Sequence, residues 1–136
     1  MRILLRILYN TLVNIEEFEA LVSQALESLP QEFAKKLDNV DVIVEAWPST
    51  QQLKQSRVGS GMTLYGLYQG VPRTKRGQYF GVLPDKITVF AGPILQSFGS
   101  DVEVVKDQIR RTVIHEIGHH FGMSEEDIRR AQADLG

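Results

Sequence analysis

The stretch "SDVEVVKDQIRRTVIHEIGHHFGM" (100–123) constrains this chain more than any other. Val102, Val105, Ile109, Val113, Ile117 and Phe121 recur at intervals of three and four residues, the spacing of one face of an α-helix. Ser100 with Glu103 three residues on has the form of a capping box. Gly122 is a natural stop, since glycine takes up the left-handed backbone of a helix C-terminus without a Cβ penalty. The spacing predicts a long core helix over about 101–121. All the histidines of the chain, His115, His119 and His120, fall on it.

The other elements arrange themselves around that helix. Asn14 followed by Glu17 has the form of a capping box, and Ile15, Phe18, Leu21, Val22, Ala25, Leu26 and Leu29 make one apolar helical face. Pro30 ends that helix or starts a short one through Phe33 and Leu37. "VDVIVEAW" (40–47) alternates and is rich in β-branched residues, as a strand is. "STQQLKQS" has the character of a polar loop or one helical turn. "MTLYGLYQG" (62–70) is a second strand, in which Gly66 signals a bulge or close approach by another element. A further strand falls at 86–91, with a short one at 79–83. Ser124 with Asp127 starts a C-terminal helix through Ile128, Ala131 and Leu135. Helices flanking a small sheet give an α+β fold class. The 136 residues suit one domain, with 1–13 as an N-terminal extension.

Composition narrows the function. A net charge of −2 leaves nothing global to recruit nucleic acid or an anionic membrane. The basic stretch Arg73, Lys75 and Arg76 is too short to change that. The absence of cysteine excludes disulfides, thiolate nucleophiles and cysteine-rich zinc sites. The N-terminal "MRILLRILYNTLVN" is basic and apolar, but Arg6 interrupts the apolar run and no small-residue cleavage site follows. It is too short to span a membrane and has helical spacing, which suits an amphipathic helix or a strand packed on the core. A cytoplasmic location is the expectation from the lack of an export signal.

The histidines carry the chemistry. His115 and His119 are four residues apart, one turn above each other on one helix face. Their imidazoles can converge on one ion, and Glu116 on the flank can take a proton from a water held there, the H-E-x-x-H arrangement. In a domain of this size and composition that pattern arises by chance on the order of a few times in a thousand, and Gly122 at its place lowers this roughly tenfold. A turn at Gly122 swings the following acidic residues back toward the metal. Glu125 is the expected third ligand, with Glu126 and Asp127 as alternatives. Acidic residues also belong in the first turn of a helix, so their presence alone does not choose among them. Two histidines and one carboxylate also suit Fe, Mn or Ni, and fold context is what favours Zn2+. His120 lies off the ligand face, a core-edge or supporting histidine. Gly118 allows a strand or loop to pack close, and Met123 is core.

With these residues in view, the chain resembles the zincins, and more closely a family of small bacterial zincin-like proteins regarded as possible zinc metallopeptidases. The resemblance covers about Ile15 to Asp127 and includes "FEALVSQALESLPQEF", "LDNVDVIVE", "LYGLYQGVPRT", "GVLPDKITVFAGPIL" and "VIHEIGHHFGMSEEDI". It implies a minimal zincin-like fold: a small mixed sheet, an active-site helix and a C-terminal helix. Carried over, His115 and His119 match the zinc histidines, Glu116 the general base, and Glu125 the position of an acidic third ligand. Metzincins have His at that position and snapalysin-type peptidases Asp. Only eleven residues follow Glu125, too few for the metzincins' downstream Met-turn domain. The expected activity is peptide-bond hydrolysis by a zinc-activated water, on a peptide or protein substrate. The alternative is a non-catalytic scaffold that acts by protein contact, since a small domain has little wall with which to build a cleft. Tyr65, Tyr68, Tyr79, Arg73, Lys75 and Arg76 are candidate donors to the oxyanion.

Overall fold

The computed structural model describes residues 2–56, 63–71, 84–99 and 101–133, with the backbone alone for 2–14. Its helices are α1 (Arg2–Glu27), α2 (Gln31–Lys36), α3 (Thr50–Ser56), α4 (Ala91–Phe98), α5 (Val102–His120) and α6 (Glu125–Ala133). Its strands are β1 (Val40–Glu45), β2 (Gly66–Gln69) and β3 (Asp85–Phe90). Among the described residues the strands form one sheet in the order β1-β3-β2. β1 pairs parallel with β3 and β2 antiparallel, so the sheet is mixed. This is the small mixed-sheet α+β architecture that the resemblance implied.

The alternation of β3 sets the two sides of the sheet. Ile87 and Val89 point into the main core with Ile109, Val113 and Ile117 of α5 and Phe18, Val22 and Ala25 of α1. Phe90 points the other way, onto Leu64, Leu67 and Leu53. Register places Gly66 opposite Val89 and Tyr68 opposite Ile87. Gly66 and Tyr68 therefore lie on the α5 side of β2. A Cβ on Gly66 would stand 2.5 Å from Thr112 Cγ2 and 3.2 Å from the Thr88 carbonyl oxygen. The close approach expected at this glycine is thus made by α5.

The helix that carries the histidines departs from expectation at both ends. Its N-cap is Asp101, not Ser100: the Asp101 carboxylate accepts from the backbone N–H of Glu103 at 3.0 Å and of Val104 at 3.4 Å. Val102 and Phe121, which follow the core spacing, are about half exposed at the two ends of the helix. At the C-terminus Gly122 takes φ 78. Met123 N–H donates to the Gly118 carbonyl at 2.8 Å and Gly122 N–H to that of His119 at 3.2 Å. These two bonds make a Schellman turn. The chain doubles back, and Ser124 caps α6 through the Asp127 N–H at 3.1 Å. What packs close on Gly118 is α6 and not a strand or loop: a Cβ there would lie 2.6 Å from Ile128 Cγ1.

Other expectations shift for local reasons. No helix begins at Asn14, since α1 runs through it from Arg2 to Glu27; no proline or glycine interrupts the chain between them. "STQQLKQS" forms α3, held by a reciprocal cap in which Gln52 N–H donates to Ser49 Oγ at 3.1 Å and Ser49 N–H to Gln52 Oε1 at 2.8 Å. β1 stops at Glu45 and β2 is confined to 66–69. β3 passes directly into α4, which the strand pattern conceals. Gly92 permits this junction, because a Cβ there would stand 2.3 Å from the Trp47 ring. The strand expected at 79–83 lies outside the described residues. No described helix is long and apolar enough to cross a membrane.

Candidate metal centre

The Schellman turn brings the start of α6 over the last turns of α5. His115, His119 and Glu125 each offer one ligand atom, and these atoms lie within 4.8 Å of one another. His115 Nε2 and His119 Nε2 are 3.1 Å apart. Glu125 Oε1 is 2.8 Å from His119 Nε2, and Oε2 is 3.9 Å from His115 Nε2. Bond lengths of about 2.0–2.2 Å in a tetrahedron separate adjacent ligand atoms by roughly 3.4 Å, so these spacings bracket what zinc requires. The donor set of two imidazoles and one carboxylate is also of the right kind. Glu126 and Asp127 point elsewhere: both face Arg130, at 2.8 Å and 3.8 Å.

Glu116 is held on the flank of this cluster. Tyr68 N–H, from β2, donates to its Oε1 at 3.0 Å. Its Oε2 lies 3.3 Å from His115 Nδ1. A proton on Nδ1 directed at that carboxylate leaves the Nε2 lone pair facing His119 and Glu125, the tautomer that a metal needs. The same hydrogen bond raises the pKa of His115 above its ordinary value of 6.5. Partial burial works against this, while the charges of Glu116 and Glu125 add to it. Glu116 is the least exposed of the four side chains, at 19 %.

His115, Glu116 and His119 open on a cavity of about 780 Å3 whose walls include β2, the segment before it and one stripe of α5. Tyr65 and Tyr68 line it, but their hydroxyls are committed: Tyr65 donates to Ser97 Oγ at 3.1 Å and Tyr68 to Asp85 Oδ2 at 2.7 Å. Tyr79, Arg73, Lys75 and Arg76 lie outside the described residues. His120 stands apart from the ligand cluster, with its ring stacked on Tyr68 at 3.8 Å and Nε2 3.9 Å from Asp85 Oδ2. Asp85 also accepts from Val71 N–H at 2.9 Å. Nothing in the sequence near the histidines points to Asp85; only the pairing of Tyr68 with Ile87 brings it there.

A two-histidine, one-carboxylate cluster at a helix-turn-helix beside a small mixed sheet defines a zincin-like class of protein. The family model for zincin-like metallopeptidases matches residues 37–134. The chain belongs to that family. No curated protein matches it. Among solved structures, a conserved hypothetical protein from Thermo thermophilus is similar, with 26% sequence identity and a TM-score of 0.48 over 79% of this chain and 92% of that one.

Proposed function

We propose that this protein is a zinc-dependent metallopeptidase in which His115, His119 and Glu125 hold the metal and Glu116 is the general base. The observation that carries this reading is the convergence of three ligand atoms within 4.8 Å, with the Glu116 carboxylate fixed beside them on one cavity wall. Zinc bound there supplies a Lewis acid that polarises the scissile carbonyl and makes water more acidic near neutral pH. Glu116 takes a proton from the attacking water as its oxygen bonds to the carbonyl carbon. It then delivers that proton to the leaving nitrogen as the C–N bond breaks. The Tyr68 N–H keeps the carboxylate aimed through both transfers, because a backbone donor in a paired strand has little freedom to move.

Peptide-library digestion with the zinc-loaded chain tests this proposal. Cleavage by the wild type, lost on Glu116→Gln while zinc stays bound, is the expected result. Zinc retained with no cleavage in either protein would move the assignment to a non-catalytic zincin scaffold.

A further inference from the structure

The cavity extends past the proposed ligands. Gln108, Arg111, Thr112, His115, Glu116 and His119 all line it. They recur every three or four residues, so one stripe of α5 forms a wall. At 1.5 Å per residue that wall is about 16 Å long, enough for roughly five residues of extended peptide. Its two ends differ chemically. The C-terminal end carries the imidazoles. The other, one turn before His115, carries Arg111.

Arg111 is the only lysine or arginine among the described residues that line this cavity. Its Nε donates to Asp107 Oδ2 at 2.7 Å. Among the described residues no hydrogen bond engages its two terminal nitrogens, so that edge of the guanidinium fork remains available. Asp107 is shared with a second cation, its other oxygen lying 3.8 Å from Arg110 Nη2. The Arg111 backbone is also fixed: its carbonyl accepts from Gln132 Nε2 of α6 at 2.9 Å. A planar, partly buried fork with one edge unengaged, in a peptide-sized groove, fits a carboxylate.

We propose that Arg111 is a specificity-determining residue that receives a substrate carboxylate, from an Asp or Glu side chain or from the chain's own C-terminus. Arg111 and His115 are four positions apart on the helix, about 6 Å along the axis. That places the carboxylate about two extended residues from the bond presented to Glu116. The inference rests on the peptide-binding reading above and does not require cleavage.

Binding to the zinc-loaded, full-length Glu116→Gln protein separates the two. The probes are N-acetylated hexapeptides in matched pairs: one Glu against Gln with an amidated end, and a free C-terminal carboxylate against its amide. Loss of the carboxylate in at least one pair weakens Kd about tenfold, and adding Arg111→Met removes that difference. The pair that shows it identifies the source of the carboxylate. Arg111→Lys, which keeps the charge and loses the fork, retains only part of the discrimination. Equal binding within both pairs, no measurable binding of any probe, or a difference unchanged by Arg111→Met would overturn the assignment. Wild-type protein that discriminates in this way but never cleaves leaves it standing and removes the peptidase reading. Cleavage without discrimination does the reverse.

Discussion

Gly66→Ala tests the packing that aligns the site. The added methyl would stand 2.5 Å from Thr112 Cγ2 and 3.2 Å from the Thr88 carbonyl oxygen. Neither neighbour yields easily. Thr112 is β-branched within a helix, so its χ1 is stiff. Its hydroxyl also accepts from Gln108 Nε2 at 3.1 Å, and the residue is 6% exposed. Thr88 contributes a backbone atom of the central strand. Gly66 has no positive φ, so the cost is steric alone. Overpacking of this kind destabilises by about 1–3 kcal/mol. For a chain of this size that lowers Tm by roughly 4 °C per kcal/mol. Thr112→Ser deletes the offending methyl and keeps the hydroxyl, at a cost of about 1 kcal/mol for the lost buried group. The double variant Gly66→Ala/Thr112→Ser is predicted to be more stable than the sum of the single changes by about 1 kcal/mol or more. Urea unfolding of the four proteins at 25 °C measures this coupling. Strict additivity, or an alanine at 66 with wild-type stability, would refute the account of how β2 lies under α5.

Three further outcomes follow from single features. Gly122→Ala, at φ 78 with nothing within 4 Å of the new Cβ, loses about 1 kcal/mol through backbone strain alone, while Gly122→Asn loses less; thermal melts distinguish them. Ser49→Ala removes half of the reciprocal cap on α3 and costs about 1 kcal/mol in urea unfolding. In the zinc-free protein the raised pKa of His115 stabilises the fold fully below pH 6.5, and that contribution disappears as pH rises through the raised value. Zinc requires the neutral imidazole, so apparent zinc affinity changes in the opposite sense and falls as pH drops through the same value. Tm against pH, with zinc and with a chelator, gives the two slopes.

What was legible in the sequence follows from how local its cause is. His115, Glu116 and His119 share one helix, so their spacing alone encodes their proximity. Gly122 marks the turn that brings Glu125 back, and φ 78 with two reverse hydrogen bonds is what such a glycine allows. The position of Glu125 three residues past Gly122 already favoured it over Glu126 and Asp127, and in the fold the latter two face Arg130 instead. The helix α4 was not legible. Pro93 does not bar that helix, since proline is tolerated in a helix's first turn, where its missing N–H has no partner to lose. Asp85 and Arg111 acquire meaning only through tertiary structure. One depends on strand register, the other on which stripe of α5 faces the cavity. Gly66 gave the right signal, a close approach, without saying which element approaches.

The most direct test of the central claim is the zinc content and zinc affinity of the purified full-length protein, wild type beside His119→Ala, Glu125→Ala and Glu126→Ala, at neutral pH. The account predicts one zinc per chain, lost or strongly weakened in the first two variants and kept in Glu126→Ala. Wild-type protein that binds no zinc tightly, or a Glu125→Ala variant that binds it as the wild type does, would contradict it.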